Sequence, residues 1–259
     1  MSWDEEFFAE TFWDGEYEAV IRDEERTARE AEFIARELDL GPESRVLDLA
    51  CGRGRHALSL APRVASVVGF DRTARFLTRA REEAAARGIG NVEFVEGDMA
   101  RLDYDGAFDA AYCYFTAWGY RSDEENAEVL ARVARALCPG GRFMLEMISR
   151  EGLIRRFQSR DGRTFPDGTA LVEERTFDFA AGRIHSKWTI AGPRGPKVLH
   201  LDIRVPASEE YPRLFAAAGF AETRLLSAPD GGPLTLDSLR IAAVGTRGDV
   251  RTFSPSGEA

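Results

Sequence analysis

Three carboxylates and a pair of glycines carry the chemistry open to this sequence. In VLDLACGRGRHA, residues 46–57, Asp48 stands four residues before Gly52, and Gly52-x-Gly54-x-x-Ala57 has the spacing of a loop that a nucleotide can approach closely. Asp71 ends the apolar run VASVVGFD, and Asp98 sits in EGDM at 96–99. The glycine spacing alone also fits a dinucleotide, with Asp71 near the offset of a ribose-gripping acid. Asp48 argues the other way, because a buried anion beside the loop repels a pyrophosphate and suits a ligand with an ammonium group. Asp98 can accept from an exocyclic adenine amine while Met99 lies against the purine. The strand ends collect acids and show no arginine or lysine clamp. A cationic adenosyl ligand is therefore expected in preference to a dinucleotide.

Strands must end where those acids stand. Residues 25–40 place Ala31, Ile34 and Leu38 on one helical face, and Gly41-Pro42 should end that helix. RVLDLA reads as a short buried strand, HALSLAPR as a helix and VASVVGFD as a second strand. A helix closed by Gly88, a third strand NVEFVEGDM and a fourth, FDAAYCYF, follow. Ser122 and Glu125 form a capping box for a helix over 123–138, and PGGRFMLEMI supplies a turn and a fifth strand. This alternation implies a parallel sheet covered on both faces, with ligands at the carboxyl ends of the strands. After Arg150 the period changes to two. Segments 169–178, 182–190 and 198–206 read as an antiparallel meander inserted before a helix over 208–220 and a closing strand pair.

The ordered set Asp48-Leu-Ala-Cys-Gly52-Arg-Gly54, Asp71, Gly97-Asp98-Met99, Phe108-Asp109 and Pro139-Gly140-Gly141 resembles the class I S-adenosylmethionine-dependent methyltransferases. The resemblance covers about residues 40–150 and the last forty or so. It implies an α/β, Rossmann-like seven-stranded sheet in order 3-2-1-4-5-7-6, strand seven antiparallel, here carrying the inserted β-meander. It also implies S-adenosyl-L-methionine as cofactor, with Gly52 and Gly54 close to its methionyl and ribose parts and Asp71 on the ribose hydroxyls. Asp98 and Met99 would take the adenine, Cys113 and Tyr114 would border the methionine, and Asp48, Ala50, Cys51 and Arg72 complete the set. Ala50 stands where the motif usually has its first glycine. The meander looks like that of a small-molecule subgroup with a β-insertion after strand five.

The implied domain plan is an N-terminal lid or helix (1–24), a cofactor-binding core (25–150), the meander as substrate cap (151–206), the returning core (207–247) and a disordered tail (248–259). Methyl transfer needs alignment more than a reactive side chain, so no catalytic residue is assigned, with Tyr114 and His200 as candidates only. Tyr17, Trp118, Tyr120, Arg150 and Arg204 are the candidate acceptor contacts; aromatics there can hold a flat or cationic group. His56 reads as structural. The acceptor is expected to be a small molecule, methylated at nitrogen first and oxygen second. An RNA or protein methyltransferase, a nicotinamide oxidoreductase and a non-catalytic cofactor-binding subunit are the alternatives.

The formal net charge of −10 opposes a polyanionic partner, and the arginines are interspersed with acids. No uncharged apolar stretch approaches the roughly 20 residues of a membrane span. Cys51, Cys113 and Cys138 lack metal-ligand spacing, so neither metal nor disulfide is expected, and a cytoplasmic monomer or homodimer is.

Overall fold

The computed structural model describes residues 23–165, 168–192 and 195–248. The chain opens with α1 (Glu24–Leu38), β1 (Arg45–Leu49), α2 (Arg55–Leu60), β2 (Ser66–Asp71), α3 (Ala74–Ala86), β3 (Val92–Glu96) and β4 (Phe108–Cys113). It continues through α4 (Asp123–Ala136), β5 (Leu137–Ile148) and α5 (Arg150–Arg155) into β6 (Arg160–Thr164), β7 (Ala170–Asp178), β8 (Arg183–Gly192) and β9 (Gly195–Arg204). Helix α6 (Tyr211–Ala218) and strands β10 (Phe220–Ser227) and β11 (Arg240–Arg247) close the fold.

Seven strands form one sheet in the order β3-β2-β1-β4-β5-β11-β10, with β11 antiparallel to both neighbours. This is the expected topology. Alternation along each strand feeds two cores. Val46 packs with Ile34 and Leu38 of α1 and Leu77 of α3, whereas Leu47 and Leu49 join Leu130 and Val133 of α4 and Phe215 of α6. Each such fully buried side chain contributes about 1.5–3 kcal/mol. By the same alternation Asp48 shares the face of Val46, beneath α1.

Local signals were mostly obeyed. Ser122 accepts from the Glu125 amide and Glu125 from the Ser122 amide, so the capping box forms. Two boundaries move. Helix α1 stops at Leu38 because Asp39, not Gly41, takes the left-handed turn at φ 56°, a conformation a short polar side chain tolerates. Strand β5 starts at Leu137, straight out of α4, so the Pro139-Gly140-Gly141 stretch expected as a turn lies inside the strand.

The second sheet has four antiparallel strands, β6-β7-β8-β9, where three were expected. Strand β6, RDGRT, is exposed at every residue and carries no apolar alternation, so only its pairing with β7 reveals it. The sheet is stitched to the loop after β4: the Arg204 amide donates to Gly119 O at 2.8 Å, and the Arg183 guanidinium donates to Arg121 O at 3.1 Å. Among the described residues no helix is long and apolar enough to cross a membrane. Residues 1–22 of the expected lid over 1–24, with Tyr17, and the tail from residue 249 lie outside the described residues.

Candidate active site

A cavity of about 340 Å³ opens where the tips of β1, β2 and β4 and the turn after β3 meet β8 and β9. Its floor is the loop after β1. Asp71 fixes that loop: one carboxylate oxygen accepts from the Gly52 amide and the other from the Thr73 amide, both at 2.8 Å. The same acid thus anchors the glycine loop and the entry to α3. Burial pushes the Asp71 pKa up, and those two amides oppose the shift. Ala50, in place of the usual glycine, sits at φ 59°, which costs about 1–2 kcal/mol.

The two glycines do different jobs. Gly52, at φ 55°, lines the cavity, and a Cβ there would meet nothing within 4 Å. Gly54 is not among the lining residues. A Cβ on it would lie 2.6 Å from the Phe94 ring, so its missing side chain makes room for the core.

Asp48 is 3% exposed and lines the cavity, and its Oδ2 is buried with no hydrogen-bond partner. Burial, reinforced by Asp71, raises its pKa to about 7 against the opposing effects of Tyr112 and Arg55. Such an orphaned carboxylate oxygen is expensive to bury unless a cation completes it.

The expectation of strand ends without basic side chains is corrected. Arg53, Arg55, Arg72, Arg121 and Arg240 all line the cavity. Three of them are ion-paired there: Arg55 with Glu30, Arg121 with Asp98, and Arg240 with Glu146. The pairs arise from residues far apart in sequence, which the motif spacing does not show. Asp98 accepts from Arg121 through Oδ2 and from the Ala100 amide through Oδ1, so it caps the turn after β3 as well as facing the cavity.

His56 also lines the cavity. Its Nε2 lies 2.9 Å from the buried Glu30 carboxylate of α1, which also takes Arg26 and Arg55. Burial, then the Arg55 charge, lowers the His56 pKa to about 4. Burial works against ionisation of Glu30, yet the His56 hydrogen bond and the Arg55 charge outweigh it and hold that carboxyl well below the usual range.

The loop leaving β4 forms the opposite wall. Phe115 and Thr116 both take left-handed backbone, at φ 70° and 58°, costing about 1–3 kcal/mol each. Tyr114, Trp118 and Tyr120 line the cavity beside them, and Trp188 of β8 with Leu201 and Ile203 of β9 face them across it.

Of the residues singled out in sequence, Asp48, Ala50, Cys51, Gly52, Asp71, Arg72, Asp98, Met99, Tyr114, Trp118 and Tyr120 come together around this space. Cys113 is buried beneath it. Arg150 and Arg204 are not brought to it; both reach Glu210, because Arg204 alternates with the inward Ile203 on β9. His200 lies in a separate polar groove with His185 and Lys187. Glu30, Arg121 and Arg240 were missed, and no local pattern marks them.

This sheet order, with an acid-floored cavity at the strand tips, is the arrangement of the class I S-adenosylmethionine-dependent methyltransferases, and the comparisons with known proteins support that class for the core of this chain. Residues 46–141 match the family model of a methyltransferase domain. Over 105 residues the chain is 42% identical to the demethylmenaquinone methyltransferase of Deinococcus radiodurans, a match covering 39% of this chain and 42% of that protein. The chain therefore spans less than half the length of that curated relative. An S-adenosylmethionine-bound amino pentose methyltransferase of Micromonospora echinaspora is 26% identical, with a TM-score of 0.64 over 89% of this chain and 96% of that one. The CcbJ methyltransferase of Streptomyces caelestis shares the fold at a TM-score of 0.74 and 22% identity, over 86% and 90% of the two chains.

The residues present fit this cofactor. The orphaned Asp48 oxygen suits its positive charge, the open face of Gly52 leaves room for it, and Asp71 and Asp98 offer acceptors for hydroxyl and amine. A pH dependence follows from Asp48. Its ionised form attracts the cation, and the ionised fraction grows as pH rises through about 7. Calorimetry should show S-adenosylmethionine binding about tenfold more tightly at pH 8 than at pH 6, with the slope abolished in Asp48→Asn. An equal slope in the variant would remove Asp48 from this role.

Proposed function

We propose that this chain transfers a methyl group from S-adenosylmethionine to a small molecule, at nitrogen in preference to oxygen. The observation that carries the reading is the single cavity joining the acid-floored loop of the core to an aromatic and apolar wall supplied by the β4 exit and the meander. The bound cofactor would supply an activated methyl carbon. Asp71, Gly52 and Asp98 would hold its adenosyl part, and Asp48 would sit near its charge. Tyr114, Trp118 and Tyr120, with Trp188, Leu201 and Ile203, would exclude water and orient the acceptor.

With Asp48 assigned to the cofactor's charge, the other two candidate bases of the cavity support nitrogen as the acceptor atom. His56 is held at a pKa of about 4, and burial keeps Tyr114 protonated well above its ordinary range. Neither takes a proton readily near neutral pH. A neutral amine attacks with its own lone pair and needs no such base at that step, whereas a phenol must first lose a proton. The likeness to an amino pentose methyltransferase supports a small acceptor that carries an amine. Three free thiols, Cys51, Cys113 and Cys138, are consistent with a cytoplasmic setting.

Calorimetry with S-adenosylmethionine, S-adenosylhomocysteine and NAD tests the donor half: micromolar binding of the first two and none of NAD is expected. Methyl-labelled cofactor with amine, phenol and carboxylate panels tests the acceptor half. Tight NAD binding without S-adenosylmethionine binding would end the reading, and labelled phenols with unlabelled amines would reverse the acceptor assignment.

A further inference from the structure

Glu146 has a side chain with no solvent exposure, placed in β5 between the buried Leu145 and Met147. An apolar residue would fill that place at no electrostatic cost, so a charged one there calls for a reason. The reason lies across the sheet. The β5–β11 register sets Glu146 beside Ala242 and Ile148 beside Arg240, which brings the Arg240 guanidinium onto the Glu146 carboxylate through both its Nε and its Nη2. The Oε2 that takes Arg240 Nη2 also accepts from the Phe115 amide at 2.7 Å, and the Glu146 carbonyl accepts from the Thr116 amide at 3.2 Å. Arg240 also donates to Thr116 Oγ1 at 2.9 Å, and the Ile148 amide donates to the same hydroxyl at 3.0 Å. Four hydrogen bonds thus converge on the two residues in left-handed backbone at the exit of β4.

We propose that Glu146, acting with Arg240, is a positioning residue: it clamps Phe115 and Thr116 in their strained conformation and so sets the wall against which the acceptor lies. This rests on the methyl-transfer reading for the word acceptor. The clamp itself does not. Two glycines would adopt this backbone unaided, but they would lose what the chain places there. The Phe115 ring lines the cavity with the guanidinium of Arg240 5.0 Å from its centroid, and those of Arg26 and Arg55 at 5.2 and 5.8 Å. Tyr114 and Ala117, on either side, line it too. Releasing the clamp would let the pair relax and swing that ring, while the Gly52–Asp71 floor, built on other strands, keeps its own hydrogen bonds.

Residue-resolved hydrogen exchange on the full chain, with saturating S-adenosylhomocysteine, decides the matter without an identified acceptor. In Glu146→Gln the Phe115 and Thr116 amides are expected to exchange about tenfold faster than in the wild type, while Ala111 and Leu145 keep their protection. The S-adenosylhomocysteine dissociation constant should stay within about twofold. Adding Thr116→Gly to Glu146→Gln should return most of the protection, because glycine removes the strain the clamp opposes; a purely structural role predicts no such rescue. Unchanged exchange at Phe115, or faster exchange spread evenly over β4 and β5, would overturn the clamp. If the wild type does not bind S-adenosylhomocysteine, the methyl-transfer reading fails, and the same exchange comparison made without ligand still decides the clamp.

Discussion

Asp71→Ala weakens S-adenosylmethionine binding by about a hundredfold or more, the sum of two effects of a hydrogen bond to a charged group, each about 1.5–3 kcal/mol. The first is the proposed loss of acceptors for the ribose hydroxyls. The second is visible in the fold: both oxygens of Asp71 hold backbone amides, those of Gly52 and Thr73, so the floor of the cavity loses its tie to the start of α3. Cofactor binding must then rebuild the loop as well as bind to it. Stability should suffer less, because burial already disfavours the ionised carboxylate in the native state. Asp71→Asn keeps one acceptor oxygen, which can still cap Thr73, but points an amide donor at Gly52, so its loss should be intermediate. Calorimetry on the three proteins gives the ranking; an alanine variant within threefold of the wild type would remove Asp71 from the site.

Glu30→Ala should act on stability. Glu30 is buried at 3% exposure and receives Arg26, Arg55 and His56 together. Removing one partner of a buried ionic cluster leaves the others uncompensated and costs about 3–5 kcal/mol. For a carboxylate whose folded pKa is depressed, the stabilisation is present in full above the unfolded value and drains away as pH falls through it toward the folded value. The gap between wild type and variant in urea unfolding should therefore be largest at pH 7 and shrink below about pH 4.5, the ordinary value for this side chain. His56 adds a second acid-sensitive contribution that the variant retains in part. Because its folded pKa of about 4 lies below the ordinary 6.5, the native state loses ground as pH drops between those values. A wild-type-to-variant gap that is flat with pH would show that Glu30 does not act as an anion in the fold. The expected loss is a large fraction of the 5–15 kcal/mol that holds a typical domain together.

The two variants read opposite faces of one junction. Asp71 ties the loop after β1 to α3 from the cavity floor, whereas Glu30 ties α1 to α2 through Arg55 and His56. Both α2 residues line the cavity, so loosening α1 should also weaken cofactor binding modestly. That secondary effect is smaller than the Asp71 loss because Glu30 itself does not line the cavity.

Much of the fold was legible because its signals are local. The β1 run ending in Asp48 and the glycine loop, Asp71 at the end of β2, Asp98 after β3, and the Ser122–Glu125 box each depend on neighbours a few residues away, and the strand–helix alternation turns them into a sheet with its acids at one end. The aromatic cluster after β4 was visible for the same reason. Strand β6 was not, since an exposed polar strand has no apolar period and exists through its partner β7. The arginines were misjudged on related grounds. Counting basic residues along the strand tips says nothing of Arg121 folding back on Asp98, or of Arg55 taken up by Glu30 from a helix 25 residues upstream. Glu146 and Arg240 are 94 residues apart, and only the antiparallel register of β11 on β5 joins them. Local spacing determined which strand ends would carry acids and where a glycine loop would turn. Long-range pairing decided which of those charges are neutralised and which is left open to a cation, because electrostatic compensation depends on distance in space, and the chain fixes that distance only once its sheet is assembled.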